Sequence, residues 1–317
     1  MFSVVIPVYR NEESLPELVE ALASVAGRVS SPLEAVFVVD GSPDQSLRVL
    51  HALLPRAPFP SQVVALSRNF GSFAAIRAGL AAGKGEAFGV VAADLQEPPE
   101  LLVTFHDALA RGEADVVVGT RAGRSDPLFS RVFSGAFWGL YRRLVLPDIP
   151  PGGVDVFGCT RAFRDQLLAI EERNTSLVGL LFWLGFRRLE VPYERRERRH
   201  GSSAWSFRKR IRYLLDATFA FSDLPIRLVS LIGLAGIAAS LVLGAIVLWA
   251  KLQGDIPIPG YAATVLTVMF FGGLNSLALG LVGEYVWRVF ENTKARPNYV
   301  VAVSREFPGE RRGSESA

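Results

Sequence analysis

The sequence predicts an α/β domain built on a mostly parallel sheet, followed by two membrane-crossing helices. Short apolar runs recur along the N-terminal part of the chain with helical patterns between them. Each of the first four runs ends in a polar, chemistry-bearing motif. The mean hydropathy of +0.29 is high for a soluble protein and comes largely from two stretches near the C-terminus.

In order, the runs are SVVIPV, EAVFVV, QVVAL, AFGVVAA and DVVVG. Residues 14–25, 45–54 and 73–82 between them are long enough for helices. Strand alternating with helix argues for parallel pairing with helices on both faces. In such sheets ligands lie beyond the carboxyl ends of the strands. The motifs PVYRNEE, DGSPDQS, SRNFGS and DLQEPPE follow runs one to four and fall in that place. Further on, Phe129, Val132, Phe133, Phe137, Leu140, Tyr141 and Leu144 form a wide apolar face beside Arg131, Arg142 and Arg143. That pattern fits either a helix lying in a membrane interface or a core helix. The tail from Ser304, SREFPGERRGSESA, is polar and is expected to be disordered.

Residues 226–250 carry one early Arg and no further charge. As a helix this stretch is about 38 Å long, enough for the roughly 30 Å hydrocarbon core. Residues 261–283 are uncharged and rich in small side chains, as closely packed membrane helices are. The alternative is a pair of buried helices in a soluble domain. Arg208, Lys209, Arg210, Arg212 and Arg227 precede or open the first stretch and Arg288, Lys294 and Arg296 follow the second, whereas the connection holds only Lys251. By the positive-inside rule both termini face the cytoplasm. MFSVVIPVYRNEE turns polar before an export signal is complete. The single Cys159 excludes an internal disulfide and fits a reducing compartment. A net charge of +3 with pI 9.2 is mild, so no nucleic-acid partner is needed to explain it, and anionic lipid already gives the basic residues a use. Gly272, Gly273, Ser276 and Gly280 permit close packing within the chain or between copies, which leaves a homo-oligomer open.

Two acids stand out. Asp40 ends the second run and enters the turn Gly41–Ser42–Pro43–Asp44, where a carboxylate can accept hydrogen bonds from a base or ribose; an Asp-Gly pair is also an ordinary turn. Asp94 closes the fourth run, and Gln96 points the same way if the strand continues. One carboxylate together with substrate phosphate oxygens is an adequate site for magnesium. The competing role for Asp94 is capping the helix that begins near Pro98 and Pro99.

The order PVYRNEES, VVDGSPDQS, AADLQEPPEL, VVGTR, RRHGSSAWSFRKR and, after the spans, GEYVWRVFENTKARPNYVV resembles the family 2 glycosyltransferases of the polyprenyl-phosphate type, which include dolichol-phosphate mannose synthases and bactoprenol glucosyl transferases. The resemblance covers nearly the whole chain to about Val303 and implies a GT-A nucleotide-sugar domain. It implies that Pro7, Tyr9, Asn11 and Asp40 meet the nucleotide, and that Asp94 and Gln96 bind a divalent cation, magnesium or manganese. It places Arg121, Arg131 and Ser134 where phosphate is handled and Asp155 near the acceptor. Arg199, Ser203, Trp205 and Lys209 match a basic loop that closes over the diphosphate, which makes Asp94, Asp155, Arg199 and Lys209 the expected catalytic set. Val39 and Ala92 stand where the family commonly has Asp.

The implied activity is inverting transfer of a sugar from a nucleotide donor to polyprenyl phosphate at the cytoplasmic face of the membrane. The corresponding division is a cytosolic domain over residues 1–200, a basic juxtamembrane segment over 201–225, two spans over 226–290 and a partly disordered tail over 291–317. A processive polysaccharide synthase shares this fold, but no Q-x-x-R-W motif is present and two spans offer little wall for a polymer channel. A non-catalytic membrane scaffold that binds nucleotide sugar is the alternative favoured by Val39 and Ala92.

Overall fold

The computed structural model describes residues 1–121, 139, 142, 149–150, 154–172, 175–196, 215–216, 218–222, 224–253 and 260–309. The five apolar runs form β1 (Phe2–Val8), β2 (Leu33–Val39), β3 (Ser61–Leu66), β4 (Ala87–Val90) and β5 (Val116–Arg121). Between them lie α1 (Leu15–Ala26), α2 (Ser46–Leu53), α3 (Ser72–Ala82) and α4 (Glu100–Ala110). β6 (Phe157–Thr160), α5 (Arg161–Ala169), α6 (Leu177–Trp183) and β7 (Arg188–Tyr193) follow. Two long helices, α7 (Leu224–Leu252) and α8 (Tyr261–Thr293), precede the last strand, β8 (Val301–Phe307).

All eight strands join one sheet in the order β7-β5-β6-β4-β1-β2-β3-β8. Pairing is parallel except where β6 meets β4 and β5 and where β8 meets β3. The alternation of side chains along each strand divides the core in two. Phe2, Val4, Ile6, Phe37 and Val39 pack with α1 and α4 residues on one face, and Val5, Val36, Val38 and Val64 pack with α3, α5 and α6 residues on the other. Burial on both faces is the reason the runs are continuously apolar rather than alternating. Cys159 on β6 is fully buried.

β6, β7 and β8 have no counterpart in the sequence reading. β6 has four residues and β7 is half-polar, so neither shows as an apolar run. The tail is the clearest correction: Ser304–Phe307, expected without structure, belongs to β8. The strand is exposed along its length except for Phe307, so its side chains announce nothing. Its place comes from the backbone, since it covers the otherwise unpaired edge of β3.

Among the described residues one stretch, Thr267–Thr293 within α8, is long and apolar enough to cross a membrane, with mean hydropathy 1.3 and none of it buried inside the protein. The apolar part identified in α7, Leu224–Gly236, is shorter. The segment 129–144 lies almost wholly outside the described residues.

Phe307 is 5% exposed and lies edge-on to His51 with ring centroids 5.9 Å apart. Phe307→Ala should cost about 3 kcal/mol by the usual loss for a buried Phe. The expected result is a lowered melting temperature of the solubilised protein; an unchanged transition would show that the return strand contributes little.

Candidate functional site

The chain runs from β1 outward through β2 to β3 and then returns to place β4 on the other side of β1. The strand order therefore reverses between β1 and β4, and the loops leaving their carboxyl ends diverge around a crevice. Ser14, at the start of α1, bridges the two loops by donating its hydroxyl to the Ala93 carbonyl at 2.7 Å.

The β1 and β2 loops are fastened to each other through Asp44. Its carboxylate accepts from the Ser42 hydroxyl at 2.6 Å, the Ser46 hydroxyl at 2.9 Å and the Glu12 amide at 3.2 Å. Burial pushes the Asp44 carboxyl up, but these hydrogen bonds together hold it below the usual range. Ser42 also accepts from the Arg10 amide at 2.7 Å, which holds Arg10 at φ 58. Asn11 accepts the Tyr9 amide on Oδ1 at 3.0 Å. A cleft of about 320 Å³ beside this junction is lined, among the described residues, by Glu12, Glu13 and Asp44 together with Arg10.

Asp40 reaches the other way. Its two oxygens accept from the Phe70 amide at 2.7 Å and the Gly71 amide at 2.8 Å, tying the end of β2 to the start of α3. Burial raises its pKa, partly offset by those two amides and by Arg68. Gly41, next to it, sits at φ 56 with the Arg68 backbone so near that a Cβ would lie 2.3 Å from the carbonyl carbon. No side chain fits there.

The second half of the site forms beyond β4, β5 and β7. β4 ends at Val90, four residues before Asp94, and Leu95 adopts φ 55. The extended geometry that would align Asp94 with Gln96 is therefore absent. Gln96 is instead buried, with Oε1 accepting from Arg195 Nη2 at 2.7 Å, while its backbone carbonyl accepts the Arg196 amide at 2.8 Å. Arg121 ends β5 in register with Tyr193 at the end of β7. Both donate to Asp155 Oδ2, Arg121 through Nε at 2.6 Å and Tyr193 through its hydroxyl at 3.2 Å.

Glu97 sits under this group at 1% exposure, with Oε1 3.6 Å from Arg195 Nε and with Oε2 lacking a hydrogen-bond partner among the described residues. Burial first, then the charges of Asp155 and Asp94, push its pKa to about 7 despite Arg195 and Arg121. Burial first, then the charges of Asp155 and Glu97, raise the Tyr193 phenol, which keeps it a donor. The charges of Asp155 and Asp94 thus bear on Glu97, and the guanidinium groups of Arg195 and Arg121 oppose them. Among the described residues no three His, Cys, Asp or Glu side chains are placed to hold a metal by themselves. Asp94 is half-buried and fits a shared arrangement with substrate oxygens; the Gln96 oxygen, facing a guanidinium, does not fit as it stands.

Of the sequence-predicted residues, Pro7, Tyr9, Asn11 and Asp40 gather at the β1 and β2 ends, and Asp94, Gln96, Arg121 and Asp155 gather in the second half. Arg131, Ser134, Arg199, Ser203, Trp205 and Lys209 lie outside the described residues. Asp44, Glu97, Tyr193 and Arg195 were missed. Asp44 and Glu97 each stand within motifs singled out for a neighbouring residue, but only the folded contacts distinguish them.

An open, mostly parallel sheet with acids and cations collected where its strand order reverses is an α/β domain of the GT-A kind. Glycosyl transferase family 2 matches residues 3–169, over half of the chain. The chain belongs to that family and is a glycosyltransferase. It is 33% identical over 307 residues to the uncharacterized glycosyltransferase YkcC of Bacillus subtilis, covering 96% of this chain and 94% of the relative. It is 31% identical over 307 residues to the bactoprenol glucosyl transferase of Shigella phage SfV, covering 96% and 99%. Among solved structures, glucosyl-3-phosphoglycerate synthase from Mycobacterium tuberculosis with Mn2+ and UDP-glucose gives a TM-score of 0.46 at 18% identity, over 64% of this chain and 72% of that one.

Gly41→Ala is expected to separate the β2 and β3 loops, lowering both melting temperature and transferase rate; a wild-type rate would show that the junction tolerates displacement. Glu97 gives a pH signature. Its folded pKa of about 7 exceeds the ordinary 4.5, so the penalty for its charge is absent below pH 4.5, and stability is lost as pH rises through 7. That gap corresponds to roughly 3 kcal/mol. Glu97→Gln should therefore raise the melting temperature at pH 8 more than at pH 5, and equal shifts at both would refute the buried charge.

Proposed function

We propose that the protein transfers a sugar, with inversion, from a nucleotide sugar to polyprenyl phosphate at the cytoplasmic face of a membrane. The observation that carries this reading is the acid and guanidinium cluster of Asp94, Asp155, Arg121 and Arg195 at the crevice of a chain whose following elements are long, exposed, apolar helices. The similarity to a bactoprenol glucosyl transferase across nearly the full length of both chains supports the lipid acceptor.

The acceptor is a phosphate monoester with a second pKa near 6, so at neutral pH it is already largely a dianion. It needs no strong base. Catalysis then depends on holding that phosphate in line with the anomeric carbon and on stabilising the departing diphosphate. Arg121 is fixed through Asp155 and Tyr193, which gives the site a directed cation for a phosphate oxygen. Asp94 is the residue that would hold a divalent cation, together with donor oxygens, and the bound ion would supply charge stabilisation to the leaving group. Gln96 would join it only after release from Arg195. The nucleoside is assigned to the β1 and β2 ends, with Pro7, Tyr9, Asn11 and Asp40, and the basic segment with Arg199, Ser203, Trp205 and Lys209 is assigned to the diphosphate. Arg131 and Ser134 are assigned to the acceptor phosphate.

The connectivity supports a reading of two spans. β3 and β8 share one sheet, yet the chain between them contains both α7 and α8. A chain that leaves this sheet and returns to it crosses a membrane an even number of times, so if α8 spans, α7 supports the return crossing. At 29 and 33 residues the helices are about 44 and 50 Å long, sufficient for roughly 30 Å of hydrocarbon with tilt. The division at residues 200, 225 and 290, with both ends of the chain cytosolic, accords with this path and with the cationic flanks.

Membranes containing the protein, given a panel of labelled nucleotide sugars, should move one label into an organic-soluble, mild-acid-labile product. Asp94→Asn should reduce that transfer at least about 100-fold, in the range of lost electrostatic groups, with an unchanged melting temperature. Wild-type transfer by that variant would overturn the role of Asp94; no lipid product from any donor would overturn the reading.

A further inference from the structure

α6, LVGLLFW, buries every residue from Leu177 to Phe182 and then leaves Trp183, its largest side chain, 63% exposed. An indole, apolar with one polar N–H, suits the boundary between lipid and water, and Trp183 presents one at the end of an otherwise buried helix. The surroundings say which boundary. The Phe221 ring lies close against Gly179 in α6, where a Cβ would stand 2.3 Å from a ring carbon. Phe221 is three residues before Leu224, the first residue of α7. Its neighbours Asp216 and Phe219 are held by Arg288 near the end of α8, through an ion pair of 2.8 Å and a cation–π contact of 4.8 Å. One short helical segment is thus pressed between α6 and the membrane-proximal ends of both long helices.

We propose that Trp183 and the C-terminal end of α6 insert into the headgroup layer of the bilayer that α7 and α8 cross, forming a docking surface on the catalytic domain separate from the spans themselves. This rests on the membrane-crossing part of the function proposed above. The occupant is phospholipid because the surface is continuous with the start of α7 and is flanked by cations. Arg188 follows Trp183 closely and stacks on Phe182 at 4.5 Å, and Arg187 remains exposed even in its pair with Asp115. A basic run, Arg208, Lys209, Arg210 and Arg212, precedes the helical segment in sequence. Three elements, α6, the segment at 218–222 and α8, then fix the height of the site above the membrane.

The test uses the full chain in vesicles of phosphatidylcholine and phosphatidylglycerol. Trp183→Cys carries a polarity-sensitive fluorophore; Cys159 is fully buried, so the wild type serves as the labelling blank. Glu20→Cys, exposed on α1 in the opposite layer, is the solvent control. The expected result is at least twofold quenching at position 183 by a phospholipid spin-labelled near its headgroup, with shielding from aqueous iodide relative to position 20. Iodide quenching equal to the control without lipid quenching overturns the placement. So does energy transfer between labels on separate copies without lipid quenching, which would assign the face to a second copy of the chain. Sugar transfer is measured on the same vesicles. Lost quenching with intact transfer sinks this placement alone, and intact quenching with no transfer from any donor sinks the functional reading alone.

Discussion

The position of β1 between β2 and β4 is the constraint on which the site depends. Three parallel strands side by side, with the chain moving outward on one side and resuming on the other, force the connections after β1 and β4 apart. Everything with chemistry in it hangs from that division. The junction of Asp44, Ser42 and Ser46 stiffens one wall, Asp40 draws the α3 loop onto it, and Ser14 ties it to the opposite wall. These are short polar contacts among backbone amides and small side chains, so the wall holds its shape before a ligand arrives.

The opposite wall is built differently, from charge held against charge. Asp155 has two donors and Arg195 is shared between Gln96 and Glu97, yet among the described residues one oxygen of the buried Glu97 has no hydrogen-bond partner. Buried carboxylates in mutual repulsion are unfavourable unless a cation answers them. The guanidinium groups of Arg121 and Arg195 answer part of that demand.

The return strand β8 changes how the two long helices are to be understood. They lie between two strands of one sheet, so they form a closed excursion rather than a trailing anchor. The catalytic domain is then gripped at both ends of that excursion. Arg288 strengthens the grip by joining α8 to the segment that leads into α7, and Phe221 carries it on to α6.

The first five strands and four helices were legible in the sequence because burial on both sheet faces writes itself as uninterrupted apolar runs, and because the helices between them are long. The two C-terminal stretches were legible from their length and nearly charge-free apolar composition, and ordered motifs sufficed for the family. β7 and β8 left no such trace, since a half-polar strand and an exposed edge strand are held by backbone pairing, which any side chains permit. The pairing of Arg121 with Asp155 joins residues far apart in the chain and arises only when β5, β6 and β7 come together. The turn at Leu95 likewise redirected Gln96, which alternation along an extended strand had aligned with Asp94. Local composition determined which segments could be buried; the meeting of strand ends determined which charges face one another, because electrostatic partners are chosen in space and not along the chain.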